Sequence, residues 1–358
     1  MKTKVIKNAV TVKADPTSRL AWTLGGNGCT FVVLLAATMV LLIGGRSEAQ
    51  EPSQLTVETD GHYVHVMPTP SAAGTWNSTD PSSGALIYHN GPVMTTSNTY
   101  AIFWIPASGK LQNGAPTSLP YHYQQVVMSF LYRYPGHGID NNNTQYFQQV
   151  SGGWNWIQNA GSFAGYYIDT SSYPASDCND PDTPGNCLSD AQIQAEIQKV
   201  MSSQGWNSGM NNMFLLFTSS GEGSCAGSTC AYSTYCAYHS YFGNTSSPVI
   251  YGNEPYAAQG FCQAGTSPNN DPAADAAASI ASHEITEAIT DPEFNAWFAS
   301  NGAEIGDLCA WNYGVNTWDS GNANQSWFTH ATVFGGYGYY ELQREYDNHT
   351  ASCVQVGP

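Results

Sequence analysis

His283 and Glu287 stand four residues apart, with Glu284 between them, in the run SHEITEAITDP. On a helix, residues four apart project from one face a turn apart, and Glu284 lies about a third of a turn round from His283. This is the geometry of a helix that supplies two metal ligands and a general base. Glu287 occupies the second ligand position, where an imidazole is more usual, and carboxylate oxygen is still an acceptable zinc donor. Glu304 follows seventeen positions later, ahead of Asp307. The expected chemistry is one zinc ion held by His283, Glu287 and Glu304, with Asp307 orienting a ligating imidazole. Glu284 would take the proton of an attacking water while a carbonyl is polarised. A second carboxylate ligand leaves bound water less acidic, so a weaker catalyst or a more alkaline pH optimum than with two helix imidazoles is expected.

These groups need a rigid helix. Asp271-Pro272 gives it a carboxylate N-cap and a proline at the first helical position. Alanines dominate the next dozen residues, and Asp291-Pro292 ends the helix near Thr290. Two ligands on a helix and a third from the following turn is the ligand order of thermolysin-like metallopeptidases. His62, His65, His137, His239 and His330 have no partners at ligand spacing, and read as surface or hydrogen-bonded histidines.

The other elements read as an alternation. ALIYHN (85–90) and TYAIFWI (99–105) are strands joined by a turn through Gly91-Pro92, and Ser118 to Tyr132 is a helix with Tyr123, Val127, Phe130 and Leu131 as its apolar stripe. FAGYYIDT (163–170) is a further strand. Ser189 to Gln204 is an amphipathic helix with a Ser189/Gln192 capping box and Gly205 as its stop. MFLLFT (213–218) is apolar throughout, hence a central strand; a cysteine-rich loop (221–236) and the strand PVIYG (248–252) follow. The order predicts an α/β fold: a single zincin-like domain, its mixed sheet packed on the Ala-rich active-site helix, rich in loops and stapled by disulfides. Trp297, Trp311, Trp318 and Trp327 are candidates for a stacking platform.

The chain begins with a basic segment and the thirteen-residue apolar run Phe31 to Ile43, too short for a bilayer span at ~20 residues but suited to a signal peptide. Ser47-Glu48-Ala49 places small residues for cleavage after Ala49. Residues 1–49 are therefore expected to be a signal peptide, 50–84 a linker or short pro-region, and 85–358 the functional domain. Beyond residue 49 there are 4 basic and 25 acidic residues, a net charge of −21. That excess argues against nucleic acid and anionic membrane as partners. Eight cysteines remain in an exported chain, an even count that reads as four disulfides; proximity suggests Cys178–Cys187, and Cys309–Cys353 would tie the motif to the C-terminus. A zinc knuckle at 225–236 is the competing reading of part of that set.

YHNGPVM (88–94), TYAIFWIP, FLLFTSSG (214–221), CAYHS (236–240), SHEITEAITDP, NAW and EIGDLC together resemble the exordium-like, phosphate-induced protein family, from about Ala85 to Cys353. The resemblance implies secretion and a link to cell-wall or nutrient-limited growth, and implies little about chemistry. Two functions are carried forward. The first is an exported zinc-dependent hydrolase, a monomeric peptidase acting on peptide or cell-wall substrate. The second is a non-enzymatic extracellular binding protein whose acidic cluster, Glu287, Asp291, Glu304 and Asp307, is structural or holds calcium.

Overall fold

MFLLFT does lie at the centre of a sheet. The computed structural model describes residues 54–75, 84–107, 110–111, 115–116, 122–257, 262–263, 267–313, 325–327 and 339–358. Seven strands form one mixed sheet: β1 (Thr56–Thr59), β2 (His62–Pro68), β3 (Ser97–Trp104), β4 (Gly161–Asp169), β5 (Asn212–Thr218), β6 (Tyr235–Asn244) and β7 (Ser247–Glu254). Their order is β1-β2-β6-β7-β5-β3-β4. β7, β5, β3 and β4 run parallel, with Leu215 of β5 opposite Ala101 on one side and Gly252 on the other. β6, β2 and β1 continue the sheet antiparallel. Met213 to Phe217 are all fully buried, as the unbroken apolar run requires of a strand covered on both faces. The sheet frays in polarity at β4, where Tyr166 and Ile168 are exposed at the edge.

Three longer helices accompany the sheet: α1 (His122–Arg133), α2 (Asp190–Gln204) and α3 (Pro272–Thr290). α2 begins with the expected capping box and ends at Gly205, whose φ of 67° is left-handed. In α3 the Asp271 side chain accepts from Ala274 N at 3.2 Å, and the helix stops at Asp291. Every residue from Ala273 to Thr290 is buried. An all-buried helix must be narrow on every side, which is what the alanines provide: α3 lies between α1 and strands β6 and β7. Enlarging a zero-exposure alanine such as Ala281 to leucine would overpack this layer, at about 1–3 kcal/mol.

Several expectations are corrected. The stretch 50–84 is not merely a linker or pro-region, since Thr56–Pro68 supplies β1 and β2 to the main sheet. ALIYHN does not pair with the next strand. Its Ile87–Tyr88 pairs with Trp297–Phe298 instead. Gly91 makes that possible, because a Cβ there would stand 2.4 Å from the Asn295 carbonyl oxygen. The zinc knuckle is replaced by disulfides Cys225–Cys230 and Cys236–Cys262, beside Cys178–Cys187 and Cys309–Cys353. Four disulfides fit an oxidising compartment. Trp297 donates to Phe147 O and Trp311 to Pro68 O, as anchors of the fold rather than a platform, while Trp318 lies outside the described residues. The expected signal peptide, 1–49, also lies outside them. Among the described residues no helix is long and apolar enough to cross a membrane.

Candidate metal centre

Strand alternation builds one wall of the site. In the β2–β6 ladder His65 sits opposite His239, so both rings leave the same face of the sheet, their centroids 5.5 Å apart. α3 presents His283, Glu284 and Glu287 to that face, one helical turn supplying all three. The turn from Glu304 to Asp307 closes the far side. It approaches so tightly that a Cβ on Gly306 would stand 2.6 Å from His283 Nδ1. All seven of these side chains, together with Asp291, have no solvent exposure.

The contacts form a continuous set. His65 Nε2 lies 2.7 Å from Asp307 Oδ2, and His65 Nδ1 lies 3.3 Å from Glu304 Oε1 and 3.2 Å from Thr56 Oγ1. His239 Nδ1 lies 3.2 Å from Glu284 Oε2 and 3.6 Å from Glu287 Oε2, while its Nε2 is 3.8 Å from Glu304 Oε2. The backbone N–H of Asp307 donates to Glu287 Oε1 at 3.1 Å, and that of Glu304 to Asp307 Oδ2 at 2.7 Å. Gln343 fixes the remaining imidazole. Its amide donates to Gly306 O at 3.0 Å while its Oε1 accepts from Trp311 N, so the same Nε2 donates to His283 Nδ1 at 2.7 Å. With Nδ1 accepting, neutral His283 carries its hydrogen on Nε2, 3.0 Å from Glu287 Oε1 but out of line for a hydrogen bond.

Much of this cluster's bonding capacity is unused. Among the described residues, His239 Nε2, His283 Nε2, Glu284 Oε1, Glu287 Oε2, Asp307 Oδ1, Asp291 Oδ2 and both Glu304 oxygens have no hydrogen-bond partner. Burial, and then the neighbouring carboxylates, push the Glu284 and Glu304 carboxyls well above the usual range. Burial would lower the His65 imidazole, but Asp307 beside it more than reverses this. His239 is held well below the usual range by burial and by the other two imidazoles, which keeps it neutral and able to bind a metal. Without a cation these buried carboxyls are driven toward the protonated form; a bound cation would favour the charged one.

The structure therefore brings His283 and Glu287 together and reaches Glu304 through His65 and His239. Two sets of donor atoms lie mutually within 4.8 Å: His65, Glu287 and Asp307, and His239, Glu284 and Glu287. Glu287 belongs to both. Of the two readings of His65 and His239, surface or hydrogen-bonded, the second holds: both are buried and hydrogen-bonded within the cluster. Ligand spacing gave no signal for them: Val64 and Val66 flank His65, Tyr238 and Ser240 flank His239, and all are buried, because these strands are covered on both faces. The imidazoles of His65 and His239 among the carboxylates suit a transition metal better than calcium, which avoids nitrogen. Asp291, counted for calcium, spends Oδ1 on the backbone N–H groups of Asn295 and Ala296, at 2.6 and 2.7 Å.

No protein-family model and no solved structure matches the chain. Over 254 residues it is 26% identical to Protein EXORDIUM-like 3 of Arabidopsis thaliana, covering 64% of this chain and 70% of that protein. The chain is similar to the exordium-like proteins. The similarity supports the resemblance drawn from the motifs, and the relative's name says nothing of a metal or a reaction.

One aromatic ring packs against two of the imidazoles. Phe294, at φ 58°, is carried by the Asp291-capped turn and sits 5.3 Å from the His239 ring and 6.2 Å from that of His65, centroid to centroid. The same ring lines a surface pocket of about 430 Å³, to which Thr56 also contributes. Pocket and cluster are thus separated by Phe294 and Thr56.

Proposed function

We propose that the protein is a secreted zinc-dependent hydrolase acting on peptide bonds, with a zincin-like pairing of helix and sheet. The observation that carries the reading is the buried ring of unpartnered imidazole nitrogens and carboxylate oxygens around Glu287. Glu287 is the central donor, joined by His65, His239 and Glu304 around it; His283, pinned by Gln343, stands beside Glu287 with its Nε2 3.0 Å from Oε1. Zinc bound there would supply a Lewis acid for a carbonyl oxygen and acidify a water. Glu284 is the general base: its Oε1, free of partners among the described residues, holds the proton taken from the attacking water and returns it to the leaving amine. Asp307 holds His65 in place through the 2.7 Å contact. Export rests on the apolar run before residue 49, on the four disulfides and on the acid-rich remainder of the chain.

One observation favours a second reading, a non-catalytic cell-wall-associated protein stabilised by metal: all the donors have zero exposure. Metal analysis of protein purified without chelators, beside a casein-cleavage assay of wild type and Glu284→Gln, separates the two. The hydrolase reading expects bound zinc in both proteins and a rate lowered about 10²–10⁴-fold in the variant. Zinc without any cleavage selects the second reading, and absence of metal removes both.

A further inference from the structure

The pocket outside Phe294 contains an acidic group that hydrolysis does not use. Its walls are Thr56, Tyr63, Tyr241 and Phe242 from the strands, with Glu293 and Phe294 from the turn after α3, and its volume of about 430 Å³ is that of a small-ligand site. Glu293 is only 8% exposed, and among the described residues its Oε1 has no hydrogen-bond partner. A carboxylate oxygen buried without a donor is costly unless a ligand supplies one. Among the described residues the pocket lining contains no lysine or arginine. Its one basic ring, His62, is turned away to Asp190, 2.8 Å from Nε2. The rings of Tyr241 and Phe294 stand 5.8 Å apart, and the Tyr241 phenol lies in the field of both Glu293 and Asp291. An electronegative recess with aromatic walls favours a cation on an apolar stem.

We propose that this pocket is a recognition subsite for a lysine or arginine side chain of an extended peptide, Glu293 meeting the cation and the aromatic walls its methylenes. That the peptide is a substrate rests on the hydrolase reading. Phe294 and Thr56 border both pocket and centre, so a peptide anchored here lies against residues that border the metal cluster.

Titration calorimetry of the purified protein with acetyl-Ala-Lys-Ala-amide, its norleucine counterpart and chitotriose tests the assignment. The lysine peptide should bind roughly tenfold to a hundredfold tighter than the norleucine peptide, and Glu293→Gln should erase the difference. Equal binding of the two peptides, or preferential binding of the oligosaccharide, overturns the proposal. Should the variant fail to fold, the salt dependence of wild type decides: the gap must shrink at high salt, and a salt-independent gap refutes a charge-based subsite. Cationic binding with no cleavage of any peptide would retain the subsite and defeat the hydrolase reading, so the two fail separately.

Discussion

The two faces of the central sheet bury acids in opposite ways. On one face Asp190, at the start of α2, is fully satisfied. Its Oδ1 accepts from Tyr238 and Tyr251 at 2.6 and 2.7 Å, and its Oδ2 accepts from Gln194 at 2.7 Å and lies 2.8 Å from His62. These partners outweigh burial and hold its carboxyl below the usual range. On the other face, one residue further along β6, His239 looks into a cluster in which, among the described residues, Glu304 has no hydrogen-bond partner at either oxygen. Asp190 shows that this fold can saturate a buried carboxylate with ordinary donors. The cluster around Glu287 is acidic in a different sense: two sets of its donor atoms lie mutually within 4.8 Å, the arrangement the proposed cation needs and a structural acid does not.

Three experiments would break or sharpen that contrast. Chelation at neutral pH should destabilise the protein most, by about 4 kcal/mol, or roughly 10 °C in the unfolding midpoint by calorimetry, with reversal on adding zinc. An unchanged midpoint would make the two faces equivalent after all. Asp190→Ala strands two buried tyrosine hydroxyls and should cost about 3 kcal/mol in denaturant unfolding while leaving metal content unchanged. Loss of metal in that variant would show that the faces are coupled. Asp140 stands between the extremes, with single donors to each oxygen from Gly136 N at 3.1 Å and Asn143 at 3.2 Å, and burial pushes its carboxyl up to about 6. The folded state therefore binds the proton more tightly than the unfolded chain does. Its contribution is complete below the unfolded value, about 4, and is lost as pH rises through about 6. The stability gap between wild type and Asp140→Asn should shift by about 2 kcal/mol between those limits, in favour of the variant at the higher pH. A gap that does not move with pH would place the proton elsewhere.

The elements most legible in the sequence were those with complete local signals. α3 carried its own cap, proline, alanines and stop, and α2 its capping box and glycine; both appear at the residues read. The Cys178–Cys187 and Cys309–Cys353 pairs were also legible, the first because nine residues is a short loop to close. β2 was hidden in a stretch of polar composition. Ile87–Tyr88 was assigned to the wrong partner because pairing with Trp297–Phe298 is a contact across two hundred residues that no local propensity encodes.

What the sequence determined by itself is the helix and its order of chemistry: His283, Glu284 and Glu287 must lie within one turn of each other because helix geometry is local. Only the tertiary structure decided which other groups join them. His65, His239, Glu304 and Gln343 come from segments far apart in the chain, and they meet because sheet register aligns two histidines on one face and Gly306 lets a turn approach α3. Register and close approach are set by the packing of the whole chain, so the spacing of residues along it cannot disclose them.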